Sequence, residues 1–310
     1  MNRERFLSLP TKRVAQLVRE AGPKVCVFPI NGTRRWFMLE HPPGSVEGST
    51  SSYVDAAIQR HIELYKLFFD HGIDTLLTPV FGPDLLERGE AYVDVAVQGM
   101  ARLGTDPRFL RFYRSYGVRV RFYGDYRKYL AETPGDHLMN IFGETTKRTA
   151  SHDQCRLFFG VFAHDAAETA ARIAVEFHQE RGEVPDKRTL VELYYGEYVA
   201  PVDFFIGFDK FSAFDMPLVS TGEEDLYFTV APSPYLTARQ LRIILYDHMY
   251  VRPEEETDYS GLTPEDWSLM RDFYQANLEK TQGVGARRRG GQFWYPLPQV
   301  ELPESLKDVA

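Results

Sequence analysis

A short run of residues in this chain has types and spacing suited to binding phosphate groups. It directly follows the apolar segment 24–30 and reads Asn31-Gly32-Thr33-Arg34-Arg35-Trp36. A glycine lets a ligand approach the backbone, and the free N–H groups that open a helix attract phosphate oxygens. Two adjacent guanidiniums add paired hydrogen bonds to phosphate. Arginine pairs more often only solvate a helix start, but the place after a buried strand favours a phosphate site.

Sequence signatures of several other enzyme classes are missing. The chain has no GxxxxGK[ST] motif and no GxGxxG motif, which disfavours a P-loop NTPase and a dinucleotide-binding enzyme. Its 8 histidines form neither an HExxH motif nor a Cys/His cluster, which disfavours a zinc hydrolase. No GxSxG motif marks the serine of an α/β-hydrolase.

Candidate metal ligands are few. The two cysteines, Cys26 and Cys155, cannot build a four-ligand zinc site, and both lie in apolar runs typical of an inert core position. Asp84, Glu87 and Glu90 are three residues apart near a predicted helix start and could hold a cation. Acidic residues in a first helical turn more often complement the helix dipole, so we assign no metal ligand.

Composition limits the partners that the chain can have. It has 310 residues, 44% of them hydrophobic and 14% aromatic, enough for a substantial core. A net charge of −8 leaves no broad basic surface for a nucleic acid polymer. No apolar run is long enough to span a membrane, and the N-terminus MNRERFLSLP lacks the apolar core of a signal peptide. We therefore expect a cytoplasmic protein without stable membrane insertion.

Strand-like and helix-like segments alternate along the chain. Apolar runs bounded by turn residues predict strands over 24–30, 73–80, 118–123, 157–163, 203–208 and 226–230. Helical spacing of apolar residues predicts helices over 54–71, 83–103, 165–180, 190–195 and 238–250. This alternation predicts an α/β fold with an open, mainly parallel sheet flanked by helices. Ligands of such sheets bind beyond the carboxyl ends of the strands, where the strand order switches.

We expect a single catalytic domain over residues 1–280. Within it, residues 131–152 are rich in turn-type residues without a clear period, which we interpret as a mobile excursion. From residue 281 the pattern changes to GVGARRRGG and then QFWYPLPQVELPE. We interpret residues 281–310 as a non-globular C-terminal tail with a basic patch at Arg287, Arg288 and Arg289.

Four segments resemble, in order and spacing, the cis-prenyltransferase fold of undecaprenyl diphosphate synthases. They read VFPINGTRRWF, HGIDTLLTPVF, RFYGDYRKYL and LYFTVAPSPYLT, and the likeness covers roughly residues 5–285. In that family the first loop reads Asp-Gly-Asn-x-Arg-Trp, and its Asp, Gly and Arg hold an allylic diphosphate with magnesium. By position, the resemblance assigns substrate binding to Gly32, Thr33, Arg34, Arg35, Trp36 and Arg88.

Asn31 stands where the family has an aspartate. An amide keeps the shape and one acceptor oxygen of that aspartate but loses its charge, so it is a weak ligand for Mg²⁺. The resemblance implies a Mg²⁺ cofactor, and this replacement weakens that implication. We place Asn31 among the catalytic residues with Arg34, Arg35 and Tyr53.

A second departure lies where elongating members of the family bind isopentenyl diphosphate. Their Arg-x-Gly-Gly-Glu-x-Arg-x-Ser-Asn-Phe stretch is replaced here by GFDKFSAF over residues 207–214, in which only Lys210 is basic. A site without guanidiniums suits a second diphosphate poorly, whereas aromatic faces stabilise a carbocation. The resemblance therefore implies that elongation has been lost and that the substrate contacts Phe208, Phe211 and Phe214.

The resemblance, together with the departures from it at Asn31 and at residues 207–214, implies a diterpene synthase. It would ionise a bicyclic diterpenyl diphosphate, release pyrophosphate to Arg34 and Arg35, and quench the carbocation with water. By resemblance, Tyr53 lies near the reacting carbon and orients water or takes a proton, although a core or capping role at a helix start fits equally. Prenyl transfer to an acceptor such as a nucleoside is one alternative, and a non-elongating homologue that only binds a prenyl diphosphate is another. The family also implies a homodimer through residues 226–250.

Overall fold

A six-stranded parallel sheet forms the centre of the structure, which is a computed structural model describing residues 1–22, 24–41, 50–82, 89–131, 135–252, 259–288 and 294–307. Its strands are Val25–Val27 (β1), Thr75–Phe81 (β2), Val118–Tyr123 (β3), Cys155–Val161 (β4), Phe204–Phe208 (β5) and Asp225–Thr229 (β6). They lie in the order β3-β4-β2-β1-β5-β6, and every neighbouring pair is parallel. The predicted open parallel α/β sheet is confirmed.

Helices connect and flank these strands. In chain order they are Arg3–Ser8 (α1), Thr11–Glu20 (α2), Thr33–Glu40 (α3), Thr50–Asp70 (α4), Glu90–Thr105 (α5), Pro107–Ser115 (α6), Tyr126–Leu130 (α7), His137–Arg148 (α8), Ala167–Arg181 (α9), Lys187–Tyr195 (α10), Ala238–Tyr250 (α11), Pro264–Ala276 (α12) and Glu304–Lys307 (α13). The five predicted helices correspond to α4, α5, α9, α10 and α11, whereas α6 was not predicted.

The strand order switches direction at β1. The chain passes from β1 to β2 on one side, whereas β5 and then β6 are added on the other side. Cys26 and Val27 pair in parallel register with Phe204 and Phe205. The loops that leave β1, β5 and β6 therefore emerge at one edge of the sheet, at the kind of switch point where such sheets bind ligands.

The sheet separates two apolar cores. Because successive strand residues point to opposite faces, Phe159 belongs to the core under α4 and α8, and Phe158 to the core against α10. Helix α4 faces the first core with apolar residues at helical spacing, and its Phe68 ring lies 4.7 Å from the Phe28 ring. The aromatic residues of this chain thus largely fill its interior.

The interpretation of residues 131–152 as a mobile excursion is wrong. This segment contains α8, whose Leu138 and Phe142 are buried and lie one helical turn apart. The Phe142 ring stacks on Phe122 of β3 at 3.9 Å between centroids. The apolar residues of α8 are confined to its first half, which gives only a short periodic signal, and tertiary packing supplies what the local pattern lacks.

Short regular elements occur in the segment that we interpreted as a tail. Gly285–Arg287 (β7) pairs antiparallel with Trp294–Pro296 (β8), and α13 packs against α12. Arg287 and Arg288 are exposed, while Arg289 lies outside the described residues. The division of the chain at residue 280 stays a prediction.

Among the helices in the described part of the chain, none is both long enough and apolar enough to cross a membrane. Strand β6 is an edge strand, and its neighbourhood exposes 41% of Leu226 and 75% of Val230. The homodimer through residues 226–250 and the cytoplasmic location stay predictions.

Both cysteines lie in strands of the sheet. Cys26 is fully buried and Cys155 is 6% exposed. Burial raises the pKa of the Cys26 thiol well above its usual range, with Asp203 adding to the shift, and it raises the pKa of Cys155 to about 12. Because the thiolate is the reactive form, both thiols should be inert in the folded protein.

We expect a disulfide reagent such as DTNB to label neither cysteine of the native protein in mildly alkaline buffer. After unfolding in guanidinium chloride, both thiols should react rapidly, since they are then exposed with ordinary pKa values. Fast labelling of either thiol before unfolding would contradict the buried positions.

Candidate functional site

The loop after β1 turns directly into helix α3. Gly32 caps the helix in the left-handed conformation, with φ 76°, and the Thr33 hydroxyl donates to the Ile30 carbonyl at 2.9 Å. The first intrahelical bond runs from the Trp36 N–H to the Gly32 carbonyl at 2.8 Å. The N–H groups of the first turn therefore lack intrahelical acceptors and lie at the switch-point edge, where they can bind an anion.

Three loops meet at Gly32. A Cβ atom added there would lie 2.8 Å from Cε1 of Phe208 and 3.0 Å from Cβ of Pro232. The Ser233 N–H donates to the Asn31 carbonyl at 3.0 Å, and the Asn31 N–H lies 3.2 Å from the Ser233 Oγ. Ser233 is fully buried and its hydroxyl also donates to the Pro29 carbonyl at 3.3 Å. The loop after β6 thus holds the loop after β1 in place.

The two arginines of this loop have different surroundings. Arg35 pairs with Asp209, whose Oδ2 lies 3.2 Å from Nη1, and its Cζ lies 5.2 Å from the centre of the Phe208 ring. Arg34 is exposed and makes no hydrogen bond or ion pair with the described part of the chain. The edge therefore presents an open guanidinium, a partnered guanidinium and a helix N-terminus, which together attract a phosphate-type anion.

Asp209 was missed by the sequence reasoning. It follows β5 directly and adopts a left-handed backbone conformation with φ 70°, which non-glycine residues adopt rarely and aspartate more readily than most. Its carboxylate is turned toward Arg35 across 174 residues of chain. A positive φ cannot be read from the GFDKF stretch, although a polar Asp after an apolar strand is a usable signal for a turn.

The donor set at this edge does not fit Mg²⁺ well. Mg²⁺ in proteins is usually bound through carboxylates, whereas Asn31 offers a neutral amide and Asp209 is paired with Arg35. The described residues contain no group of three or more His, Cys, Asp or Glu in a metal-binding arrangement. Asp84 and Glu87 lie outside those residues, as does the side chain of Glu90. We derive no step through a metal ion.

Trp36 borders a cavity of about 470 Å³ between α3, α4 and the turn after β6. Arg60 of α4 spans this turn, donating from Nε to the Pro234 carbonyl at 2.6 Å. The Tyr235 hydroxyl donates to Glu40, which lies one turn beyond Trp36 on α3. The remaining lining residues are His41 and Glu63. The cavity is therefore lined on one side by helix α3, which carries Arg34 and Arg35.

The predicted residues Tyr53 and Arg88 have different outcomes. Tyr53 lies in the first turn of α4 and makes an edge-on contact with Phe37 of α3, with ring centres 5.3 Å apart. Phe37 is buried, so Tyr53 is attached to the helix that carries Arg34. Arg88 lies outside the described residues. The catalytic role of Tyr53 stays a prediction.

The three phenylalanines after β5 do not form one cluster. Phe208 is buried against Gly32 and Arg35. Phe211 is 47% exposed and packs on Phe228, and Phe214 packs edge-on against Phe205 of the second core. No ring contact joins Phe208 to Phe211 or Phe214 within the described ranges. Among these three, Phe208 is the ring in contact with the β1 loop.

Comparison with known proteins identifies relatives along almost the whole chain. Tuberculosinyl adenosine transferase of Mycobacterium tuberculosis (strain CDC 1551 / Oshkosh) is 44% identical over 297 residues, which cover 95% of this chain and 98% of that protein. The chain belongs to the cis-prenyltransferase-like family of this transferase. A (+)-kolavelool synthase of Herpetosiphon aurantiacus is 24% identical over 283 residues, which cover 90% of this chain and 91% of the synthase. No protein-family model matches the chain.

Solved structures of this fold agree with the family assignment. A probable undecaprenyl diphosphate synthase from Campylobacter jejuni has a TM-score of 0.55 and 15% identity, covering 76% of this chain and 98% of its own. Lavandulyl diphosphate synthase from Lavandula x intermedia, solved with dimethylallyl diphosphate, has a TM-score of 0.55 and 14% identity, covering 74% and 97%. At such identities the likeness establishes the fold of this family member and not its substrate.

The close contact at Gly32 can be tested with a matched glycine. Gly182 has nearly the same backbone, φ 75° against 76°, but a Cβ there would meet nothing within 4 Å. We expect Gly182→Ala to lower the free energy of unfolding by about 1 kcal/mol, the cost of the left-handed backbone alone. Gly32→Ala should lose roughly 1–3 kcal/mol more through overpacking against Phe208.

The measurement is urea-induced unfolding of both variants beside the parent protein. Equal losses for the two variants would show that Phe208 and Pro232 yield without cost, which would contradict the tight junction of the three loops.

Proposed function

We propose that this protein transfers a diterpenyl group of the tuberculosinyl type from its diphosphate to adenosine. The observation that carries this proposal is the 44% identity to a tuberculosinyl adenosine transferase over 95% of the chain. The sequence reasoning preferred a synthase that quenches the carbocation with water and kept transfer to a nucleoside as an alternative. The relative favours that alternative.

Binding of the diphosphate is assigned to the β1 loop. Arg34 is open to solvent at the first turn of α3, and the backbone N–H groups of that turn add uncharged donors. Arg35 lies beside them on the same turn as a second guanidinium. The backbone donors are fixed before the substrate arrives, because Gly32 and Asn31 are packed and hydrogen-bonded to the β5 and β6 loops.

Ionisation breaks the allylic C–O bond, and both electrons of that bond leave with pyrophosphate. The charge that develops on the leaving oxygen meets donors already oriented toward it, which stabilises the transition state more than the ground state. The carbon becomes an allylic cation. Aromatic faces stabilise such a cation, and Tyr53 with Phe37 supplies rings on the adjoining helices.

The acceptor then supplies the electrons for the new bond. A lone pair of a purine ring nitrogen forms the C–N bond. Because such a nitrogen carries no hydrogen, the product is a cation and no proton has to be removed. A nucleoside carries no phosphate, so its binding does not need the second-site arginines that the 207–214 segment lacks. If water were the nucleophile, the protonated alcohol would have to lose a proton; we assign orientation of the water to the Tyr53 hydroxyl, and the released pyrophosphate accepts the proton.

Product analysis tests the proposal. Incubation of the protein with a radiolabelled bicyclic diterpenyl diphosphate and adenosine should release pyrophosphate and yield an adenosine adduct detectable by mass spectrometry. Arg34→Ala should lower kcat/KM by roughly 10²–10³-fold, as expected for loss of a transition-state donor. Arg172→Ala is the matched control, since Arg172 is an exposed arginine on α9 paired only with Glu176 at 3.1 Å.

The synthase is the second candidate function, favoured by the 24% identity to (+)-kolavelool synthase. A terpene alcohol formed at the same rate with and without adenosine would establish it and would overturn the transferase. Pyrophosphate release that requires Arg34, with the label divided between adduct and alcohol according to adenosine concentration, would support the transferase with leakage to water.

A substitution at Asn31 distinguishes an active enzyme from a homologue that only binds a prenyl diphosphate. We expect Asn31→Asp to increase the stimulation of pyrophosphate release by MgCl₂, because a carboxylate beside a diphosphate creates a ligand set that Mg²⁺ prefers. An unchanged magnesium response would contradict the view that Asn31 occupies a metal-ligand position. Thermal stabilisation by the substrate without turnover, converted to turnover by Asn31→Asp, would favour the binding homologue instead.

A further inference from the structure

Three arginines surround a single glutamate near the amino ends of β3 and β4. The candidate site lies at the opposite, carboxyl ends of the strands. Arg119 and Arg121 lie on β3, Arg156 lies on β4, and Glu197 follows α10. The Glu197 carboxylate lies 3.0 Å from Arg121 Nη2, 3.6 Å from Arg119 Nη1 and 3.7 Å from Arg156 Nη1. We call these four residues the arginine cluster. It carries two more positive than negative charges.

Neighbouring groups do not neutralise this excess. The nearest further acid is Asp74, beside the start of β2, and it is paired with Arg19 at 3.1 Å. Burial lowers the pKa of the Arg156 guanidinium, with Arg119 adding to the shift and Glu197 opposing it. Burial is the main cause of this shift, the like charge of Arg119 adds to it, and Asp74 as well as Glu197 opposes it, so a further anion beside these guanidiniums would favour their charged form.

One donor and one acceptor of the cluster are buried without a hydrogen-bond partner among the described residues. Two nitrogens of the Arg156 guanidinium have hydrogen-bond acceptors. Nε donates to the Thr75 hydroxyl at 3.0 Å, and Nη1 donates to the Tyr198 carbonyl at 2.8 Å. Arg119 Nε is buried without a hydrogen-bond partner within the described residues. Glu197 Oε2 is ion-paired with Arg121 at 3.0 Å, but it is likewise buried and has no hydrogen-bond partner within the described residues. Buried polar atoms of this kind require an explanation.

The cluster remains accessible to a small ligand. The side chains of the three arginines are between 15% and 30% exposed, and Glu197 is 17% exposed. Arg119 and Arg156 are paired in the sheet register, so their guanidiniums are held side by side on adjacent strands. Both lie at the second residue of their strands, about 13 Å of β3 away from its carboxyl end.

We propose that the arginine cluster is a second anion site, which binds a small phosphate-type oxyanion such as inorganic phosphate or pyrophosphate. Inorganic phosphate carries between one and two negative charges at neutral pH and pyrophosphate carries more, so either ion offsets the excess charge of the cluster. Planar guanidiniums present paired donors that fit phosphate oxygens. The anion sits against Arg119 and Arg121, and Glu197 opposes it by repulsion.

Calorimetric titration at constant ionic strength tests this site. The protein is Arg34→Ala/Arg35→Ala, which removes the candidate active site, and the ligands are phosphate and pyrophosphate, with chloride as the reference. We expect saturable binding that Arg119→Gln weakens about tenfold or more, the effect of a lost charge-assisted hydrogen bond. Arg172→Gln on α9 is the matched control and should leave the affinity unchanged. The tighter of the two ligands identifies whether solution phosphate or the released pyrophosphate is the occupant.

Glu197→Gln provides the decisive second variant, because it keeps the shape of the side chain. An anion site should bind pyrophosphate or phosphate several-fold more tightly in this variant, since the repelling charge is gone. A network that only joins the loop after α10 to the sheet would instead lose thermal stability without any gain in anion affinity. That result, or equal affinities of the parent and Arg119→Gln, would overturn the proposal.

Discussion

The junction of three strand ends at Gly32 is the constraint on which the candidate site depends. Gly32 lies so close to Phe208 and Pro232 that no side chain fits between them, and its left-handed backbone starts helix α3. Hydrogen bonds between Asn31 and Ser233 join the first and last strands of one half of the sheet. The direction of α3, and with it the position of Arg34, follows from contacts made far along the chain.

This arrangement explains how one fold can serve different prenyl chemistries. By resemblance, the loop after β1 is one of the segments shared with chain-elongating members, and under the proposed function its donors would serve any reaction that expels pyrophosphate. The loop after β5 differs, since Phe208 and Asp209 lie where elongating members bind a second diphosphate by resemblance. Variation on one loop can therefore change the acceptor while the leaving-group site stays in place.

The sheet, five of the thirteen described helices and the β1 loop could be predicted because their signals are local. Apolar runs mark the strands, and Gly32 with Arg34 and Arg35 marks the loop within a few residues. Asp209 and Ser233 could not be assigned to the site, because their partners lie 174 and 202 residues away. Helix α8 was missed since its stability comes from the Phe142 and Phe122 stack, which joins separate elements. Phe214 could not be distinguished from Phe208 by type, because the path of the chain after β5 decides which neighbours each ring contacts.

The ion pair between Arg35 and Asp209 gives the candidate site an internal counterion. An incoming anion must displace this carboxylate to use both arginines, and a singly charged solution anion gains little by doing so. A diphosphate compensates for the lost pair through its additional charge and oxygens. Under the proposed function, an acidic residue would therefore contribute to the discrimination between prenyl diphosphates and the abundant small anions of the cell, in a site whose other named groups are basic or neutral.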